Sequence, residues 1–144
     1  MKVSNENEKV NIISESESYE FKGKHLLLEL YNCDSIKLND ELYLRCVIDQ
    51  ASKSANATVL DLISHKFQPQ GLTAIALLAE SHLSIHTWPE SEYAAIDIFT
   101  CGRNMKPELA CKYLIDSLGA SNHCLKTVIR KSPSDLNDQI RDYL

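Results

Sequence analysis

Apolar residues along this chain fall mainly into short alternating or continuous runs, and only two stretches keep a helical period. Residues 24–31 (KHLLLELY) read as a strand apolar enough to lie mostly buried. Leu44, Val47, Ile48, Ala51 and Ala55 then recur at helical spacing, which predicts a helix over about 40–55 with Asn39 as its cap. Residues 58–67 are β-branched and apolar and predict a second strand, punctuated by a turn at Pro69-Gln70-Gly71. Residues 72–79, 82–88 and 93–100 predict three more strands, the last two separated by a turn containing Pro89. Pro107 suits the first turn of a second helix, Gly119 can end it, and residues 123–130 form a last strand.

The expected order is therefore β-α-β-β-β-β-α-β. Three successive short connections in the middle favour a mainly antiparallel sheet with both helices on one face, an α+β two-layer sandwich. No internal repeat and no linker divides residues 21–131, so they are read as one domain. Residues 1–20 are polar and poorly periodic, with five acids against Lys2 and Lys9, a local charge of −3; they read as a mobile acidic leader. Residues 132–144 read as a C-terminal surface tail.

Composition narrows the function without naming it. The 144 residues are 44% hydrophobic and 24% charged, ordinary for a globular protein with its own core. A net charge of −5 with no long basic run argues against a nucleic-acid surface. No apolar run approaches transmembrane length and the leader lacks a signal peptide's apolar core, so neither a membrane nor secretion is expected. The five cysteines, an odd number without paired spacing, then read as reduced thiols in a cytoplasmic protein.

The chemistry concentrates between Glu80 and Gly102. In Glu80-Ser81 the serine hydroxyl can attack the preceding carbonyl if that peptide bond is strained or tightly held. An N-to-O acyl shift gives an ester, loss of the Ser81 α-proton expels Glu80 as a carboxylate, and the residual dehydroalanine hydrolyses to a pyruvoyl group and ammonia. The products are residues 1–80 and a chain starting at the pyruvoyl, whose ketone can form a Schiff base with a substrate amine and act as an electron sink. His82 and His86 are spaced as a helical zinc pair. On a strand, however, they stand roughly 13 Å apart and cannot share a metal ion. Ser81 and His86 have opposite parity and lie roughly 16 Å apart on a straight strand. Either the chain bends after Ser81, or His86 serves a neighbouring protomer, which a symmetric homodimer makes simple. Taken singly, Cys101 reads as a small buried hydrophobe, Glu90 as a turn acid, and Trp88 and Phe67 as core aromatics.

Taken together, these residues resemble the prokaryotic S-adenosylmethionine decarboxylases, pyruvoyl enzymes that cut their own proenzyme. The resemblance spans about residues 23–130. Its specific stretches are Glu80-Ser81-His82, IHTWPE (85–90) and FTCG (99–102), with GKHLLLELYNCD (23–34) as a second match. It implies that Ser81 becomes the pyruvoyl cofactor, His86 removes the Ser81 α-proton, and Cys101 protonates the decarboxylated carbon and helps processing. It further implies that Glu90 accepts hydrogen bonds from the ribose of S-adenosylmethionine, and that Phe67 and Trp88 face the adenine. Thr73 stands where relatives usually carry a serine that assists processing. The family also implies a homodimer at least, two sandwiches pairing into four αββα layers. In it, Phe67, Thr73, His86 and Glu90 face the partner's cleavage serine and proton-donating cysteine. The product, decarboxylated S-adenosylmethionine, feeds spermidine synthesis.

Gln70 departs from the histidine often found there, and Ile129-Arg130-Lys131 departs from the usual Arg-Gly ending. Two other readings remain open. A pyruvoyl decarboxylase of a basic amino acid such as ornithine or arginine would be expected to lose the nucleoside contacts. A non-processing partner subunit would be expected to lose Ser81, His86 or Cys101.

Overall fold

The structure is a computed structural model that describes residues 23–130; the leader and the tail read from the sequence lie outside the described residues. Its elements are β1 (Gly23–Tyr31), α1 (Ser35–Leu38), α2 (Glu41–Ser54), β2 (Val59–Lys66), β3 (Leu72–Leu78), β4 (Ser81–Trp88), β5 (Tyr93–Cys101), α3 (Pro107–Leu118) and β6 (Asn122–Arg130). One sheet of six strands in the order β2-β3-β4-β5-β1-β6 holds them, and every neighbouring pair is antiparallel. The α+β sandwich expected from the sequence is the observed fold.

Period-two alternation separates the two faces of the sheet. On one face Leu26, Leu28 and Leu30 of β1, Leu72, Ala74 and Ala76 of β3, Leu83 and Ile85 of β4, and Ile96 and Ile98 of β5 are buried. They pack with Leu44, Val47, Ile48 and Ala51 of α2 and Ala110, Cys111, Leu114 and Leu118 of α3. β1 is less buried than its sequence suggested, because His25, Leu27 and Glu29 alternate onto the other face. Among the described residues that outer face carries no helix. It exposes Ile63 at 61%, Leu77 at 53%, Phe67 at 47% and Trp88 at 41%, an apolar surface of the kind that marks a contact site.

Capping corrects the sequence reading in one place. The cap of α2 is Asp40, whose carboxylate accepts from the Tyr43 amide at 3.0 Å. Asn39 instead ends the short helix α1, and its side-chain oxygen accepts from the Gly71 amide at 3.1 Å. Asn39 therefore ties α1 to the turn between β2 and β3. Asp34 opens α1 by accepting from the Ile36 and Lys37 amides, and Gly119 ends α3 at φ +67°.

Thr87 links three elements from inside the core. Its hydroxyl donates to the Leu38 carbonyl at 2.8 Å and accepts from the Leu72 amide at 3.0 Å. Gly71 passes so close to this strand that a Cβ there would stand 2.9 Å from the Thr87 carbonyl oxygen.

Ile85 is fully buried in β4, between the two ends of the strand that carry the reactive groups. Ile85→Ala should lower unfolding stability by about 2–5 kcal/mol, the usual range for a truncated core aliphatic; urea denaturation measures it. A change under about 0.5 kcal/mol would mean that this position is not packed.

Candidate active site

The Glu80–Ser81 bond sits at the tight turn joining β3 to β4 and is held from both sides. The Glu80 carboxylate accepts from the Thr58 amide at 3.1 Å, and the Ala79 amide donates to the Thr58 carbonyl at 2.9 Å. The Glu80 carbonyl oxygen accepts from the Cys101 amide at 3.0 Å. That donor polarises the carbonyl carbon that a Ser81 hydroxyl would attack, in the manner of an oxyanion site. Ser81 itself has φ +149°, a region nearly reserved for glycine and costing about 1–3 kcal/mol. The bond is thus both strained and held.

In a regular strand Ser81 and His82 would point to opposite faces. The unusual φ interrupts that alternation, and Ser81 Oγ comes within 3.4 Å of His82 Nδ1. His82 lies opposite Leu77 and Phe99 in the register and packs against the Phe99 ring at 5.9 Å between centroids. Cys101 ends β5 on the same side of the molecule, since Ser81 pairs with Thr100. Partial burial pushes the Cys101 thiol up from its ordinary pKa, so it stays protonated at neutral pH.

A second group of residues gathers toward the other end of β4. Thr73 faces His86 across the β3–β4 ladder, and Thr73 Oγ1 shares a hydrogen bond of 2.8 Å with His86 Nδ1. His65 is the next residue in that row and meets Phe67 edge-on at 4.7 Å. Beyond His86 an aromatic series continues through Trp88 at 6.4 Å, then Tyr93 at 5.2 Å and Tyr31 at 5.6 Å. The Tyr93 hydroxyl donates to the Glu29 carboxylate, and burial together with that carboxylate pushes its pKa up to about 12.

Glu90 belongs to a single 3-10 turn, Pro89–Ser91, and lines an open cleft of about 780 Å³ with Asn39, Lys66 and Gln70. Gln70, the departure noted in the sequence, therefore shares a cleft with the residue expected to bind ribose.

The predicted site residues thus form two groups. Glu80, Ser81 and Cys101 are together at one end of β4; Thr73, His86, Trp88, Phe67 and Glu90 lie toward the other. Ser81 and His86 are five residues apart on one strand, roughly 16 Å, and are not brought together within this chain. Of the two alternatives open from the sequence, the bend after Ser81 is not seen: β4 pairs continuously from Ser81 on, and the departure is a local one at Ser81 itself. Sequence reasoning leaves His82 a structural histidine once a shared metal with His86 is excluded by distance, and its contact with Ser81 depends on that distortion, which no pattern announces. Among the described residues no three His, Cys, Asp or Glu side chains group to hold a metal ion, and no helix is long and apolar enough to cross a membrane.

Comparison with known proteins converges on one family. The model of the S-adenosylmethionine decarboxylase family matches residues 24–131. A protein named S-adenosylmethionine decarboxylase proenzyme in Prochlorococcus marinus strain MIT 9313 is 59% identical over 119 residues, 83% of this chain and 95% of that protein. One of the same name in Clostridium tetani strain Massachusetts / E88 is 48% identical over 101 residues, 69% of this chain and 79% of that protein. The crystal structure of the adenosylmethionine decarboxylase from Aquifex aeolicus VF5 superposes with a TM-score of 0.74 at 35% identity, covering 83% of this chain and 99% of that one. With the family model covering residues 24–131 and relatives this similar over most of their length, the chain belongs to the S-adenosylmethionine decarboxylase family.

Proposed function

We infer that this chain is a proenzyme that cuts itself between Glu80 and Ser81, carries the resulting pyruvoyl group, and decarboxylates S-adenosylmethionine for spermidine synthesis. The observation that carries the reading is the Glu80–Ser81 bond. Its serine is held at φ +149° and its carbonyl accepts from the Cys101 amide at 3.0 Å. Strain raises the ground state of the peptide and the amide steadies the oxygen on which charge develops. Relatives named as proenzymes agree with processing of this kind.

Two copies of the chain complete the site in this reading. The helix-free sheet face, with Phe67, Leu77 and Trp88 exposed, packs against the same face of a second copy, so each covers the other's apolar surface. The symmetric pairing gives four αββα layers. It carries His86, Thr73, Phe67 and Glu90 of one protomer toward Ser81 and Cys101 of the other, which resolves the separation along β4. Thr73 fixes the His86 ring so that it can take the Ser81 α-proton. The pyruvoyl group, once formed, supplies the ketone that holds the substrate amine and draws off the electrons released with carbon dioxide. The protonated Cys101 thiol returns a proton to the substrate carbon. Glu90 orients the ribose, while Phe67 and Trp88 offer faces to the adenine and the sulfonium. The reduced cysteines fit a cytoplasmic enzyme, all five being unpaired in the fold.

Freshly made protein should separate under denaturing conditions into residues 1–80 and a chain with a blocked N-terminus, as intact mass will show. Ser81→Ala should stay whole. His86→Ala should stall as an ester that hydroxylamine cleaves, and Thr73→Val should show a milder form of the same stall. Wild-type protein that remains whole, with a free Ser81 hydroxyl, would sink the reading.

Cys101→Ala in already processed enzyme should lower kcat about a hundredfold or more, the scale of general acid catalysis. In the wild type, an acid with a raised pKa keeps its proton to higher pH. Turnover should therefore hold through neutral pH and fall only above the ordinary thiol range, as that proton is lost. A Cys101→Ala enzyme with the wild-type kcat would assign proton donation elsewhere.

Glu90→Gln should mainly raise KM for S-adenosylmethionine, because it weakens charge-assisted hydrogen bonds worth about 1.5–3 kcal/mol each and touches no reacting atom. Steady-state kinetics with S-adenosylmethionine and ornithine separate this from a basic-amino-acid decarboxylase. An unchanged KM together with ornithine as the better substrate would replace the nucleoside reading.

A further inference from the structure

His86 is not the histidine nearest the bond that is cut. The inference below rests on the reading of Ser81 as the cleavage serine and goes further into its first step. His82 Nδ1 stands 3.4 Å from Ser81 Oγ and, among the described residues, has no other side-chain hydrogen-bond partner. His86 is engaged with Thr73 and stands five residues further along β4, roughly 16 Å away. We propose that His82, in the same protomer as Ser81, is the general base of the acyl shift, and that His86 acts only afterwards.

Three features of the fold support this division. A serine hydroxyl is a weak nucleophile until a neighbouring base takes its proton. The distortion at Ser81, φ +149°, is what turns its hydroxyl toward His82. The His82 ring is also placed from its own face, tilted at 59° against Phe99, whose ring lies 5.1 Å from the Arg130 guanidinium. A separation of 3.4 Å is long for a settled hydrogen bond and ordinary for a resting catalytic pair, which tightens as reaction begins.

The step balances without any added reagent. The Ser81 hydroxyl proton passes to His82 Nδ1 as Oγ bonds to the Glu80 carbonyl carbon. The carbonyl oxygen takes the negative charge and keeps its hydrogen bond from the Cys101 amide. The C–N bond then breaks, the electron pair returns from oxygen to re-form the carbonyl, and the imidazolium gives its proton to the departing Ser81 nitrogen. An ester and an amine remain, and His82 is neutral again.

The test compares full-length wild type, His82→Ala, His82→Asn and His86→Ala by intact mass at neutral pH, each with and without hydroxylamine. Both His82 variants should split at least about a hundredfold more slowly than wild type. They should resist hydroxylamine because no ester forms, whereas His86→Ala should be cut by it. Free imidazole should restore splitting of His82→Ala, since it can occupy the vacated space and take the same proton. Splitting at the wild-type rate, a hydroxylamine-sensitive ester in the His82 variants, or no rescue by imidazole would overturn the role. A wild-type chain that never splits would instead overturn the reading of Ser81, a different and separable result.

Discussion

The register of β4 against β3 and β5 is the constraint on which the rest depends. It sets His86 opposite Thr73, His82 opposite Phe99, and Ser81 opposite Thr100, next to the Cys101 amide that reaches Glu80. A slip of one residue would turn Leu83, Ile85 and Thr87 out of the core and carry the histidines into it, so burial locks the register. Thr87 adds a polar lock, because its hydroxyl is satisfied only while Leu38 and Leu72 stand where they do. Each group able to do chemistry is thus placed by residues that do none.

That same register forces a division of the site. A strand rises about 3.3 Å per residue, so groups at the two ends of β4 cannot meet within one sheet. The alternation that buries one face leaves the other to carry both the polar groups and the exposed apolar side chains. In the proposed four-layer dimer, covering the apolar face would also join the halves. β4 departs from alternation at Ser81, where the distortion sits on the residue proposed to react. Strain placed there acts on the reactive bond, and the long register on either side maintains it.

Much of this was legible in the residues, for reasons that can be named. The strands and α3 were readable because apolar alternation, Pro107 and Gly119 are local signals with direct backbone causes. α1 was missed because four residues are too few to show a period, although Asp34 ahead of Ser35 was a usable cap signal. From the sequence Asn39 reads as well as Asp40 for the cap of α2, because both are good capping types. Only the approach of Gly71 shows which one is needed elsewhere. The candidate site residues could be named from their grouping and its resemblance to a family. Their arrangement was partly legible, since parity already kept Ser81 and His86 apart. The φ of Ser81 and its contact with His82 were not legible, because a backbone distortion depends on both flanking strands being held and leaves no periodic trace.

The location of the proposed cut also explains how the fold would survive it. Glu80 and Ser81 lie at the turn between β3 and β4, and six residue pairs from Thr73–His86 to Leu78–Ser81 join the strands on either side. Cutting there would remove a short connection and, with loss of the Ser81 nitrogen, loosen the ladder only at its last pair, Leu78–Ser81, while the Thr58 and Cys101 amides stay placed to hold Glu80. Residues 59–66 continue to pair with β3 on the N-terminal side, while β4 keeps β5 on the C-terminal side. β1 lies between β5 and β6, so the N-terminal fragment is woven into the sheet on both sides of the C-terminal one. Separating the fragments would require breaking the β3–β4, β1–β5 and β1–β6 ladders and opening the core beneath them. A hairpin turn inside such an interleaved sheet is a place where the proposed break in the backbone would leave the surrounding geometry in place.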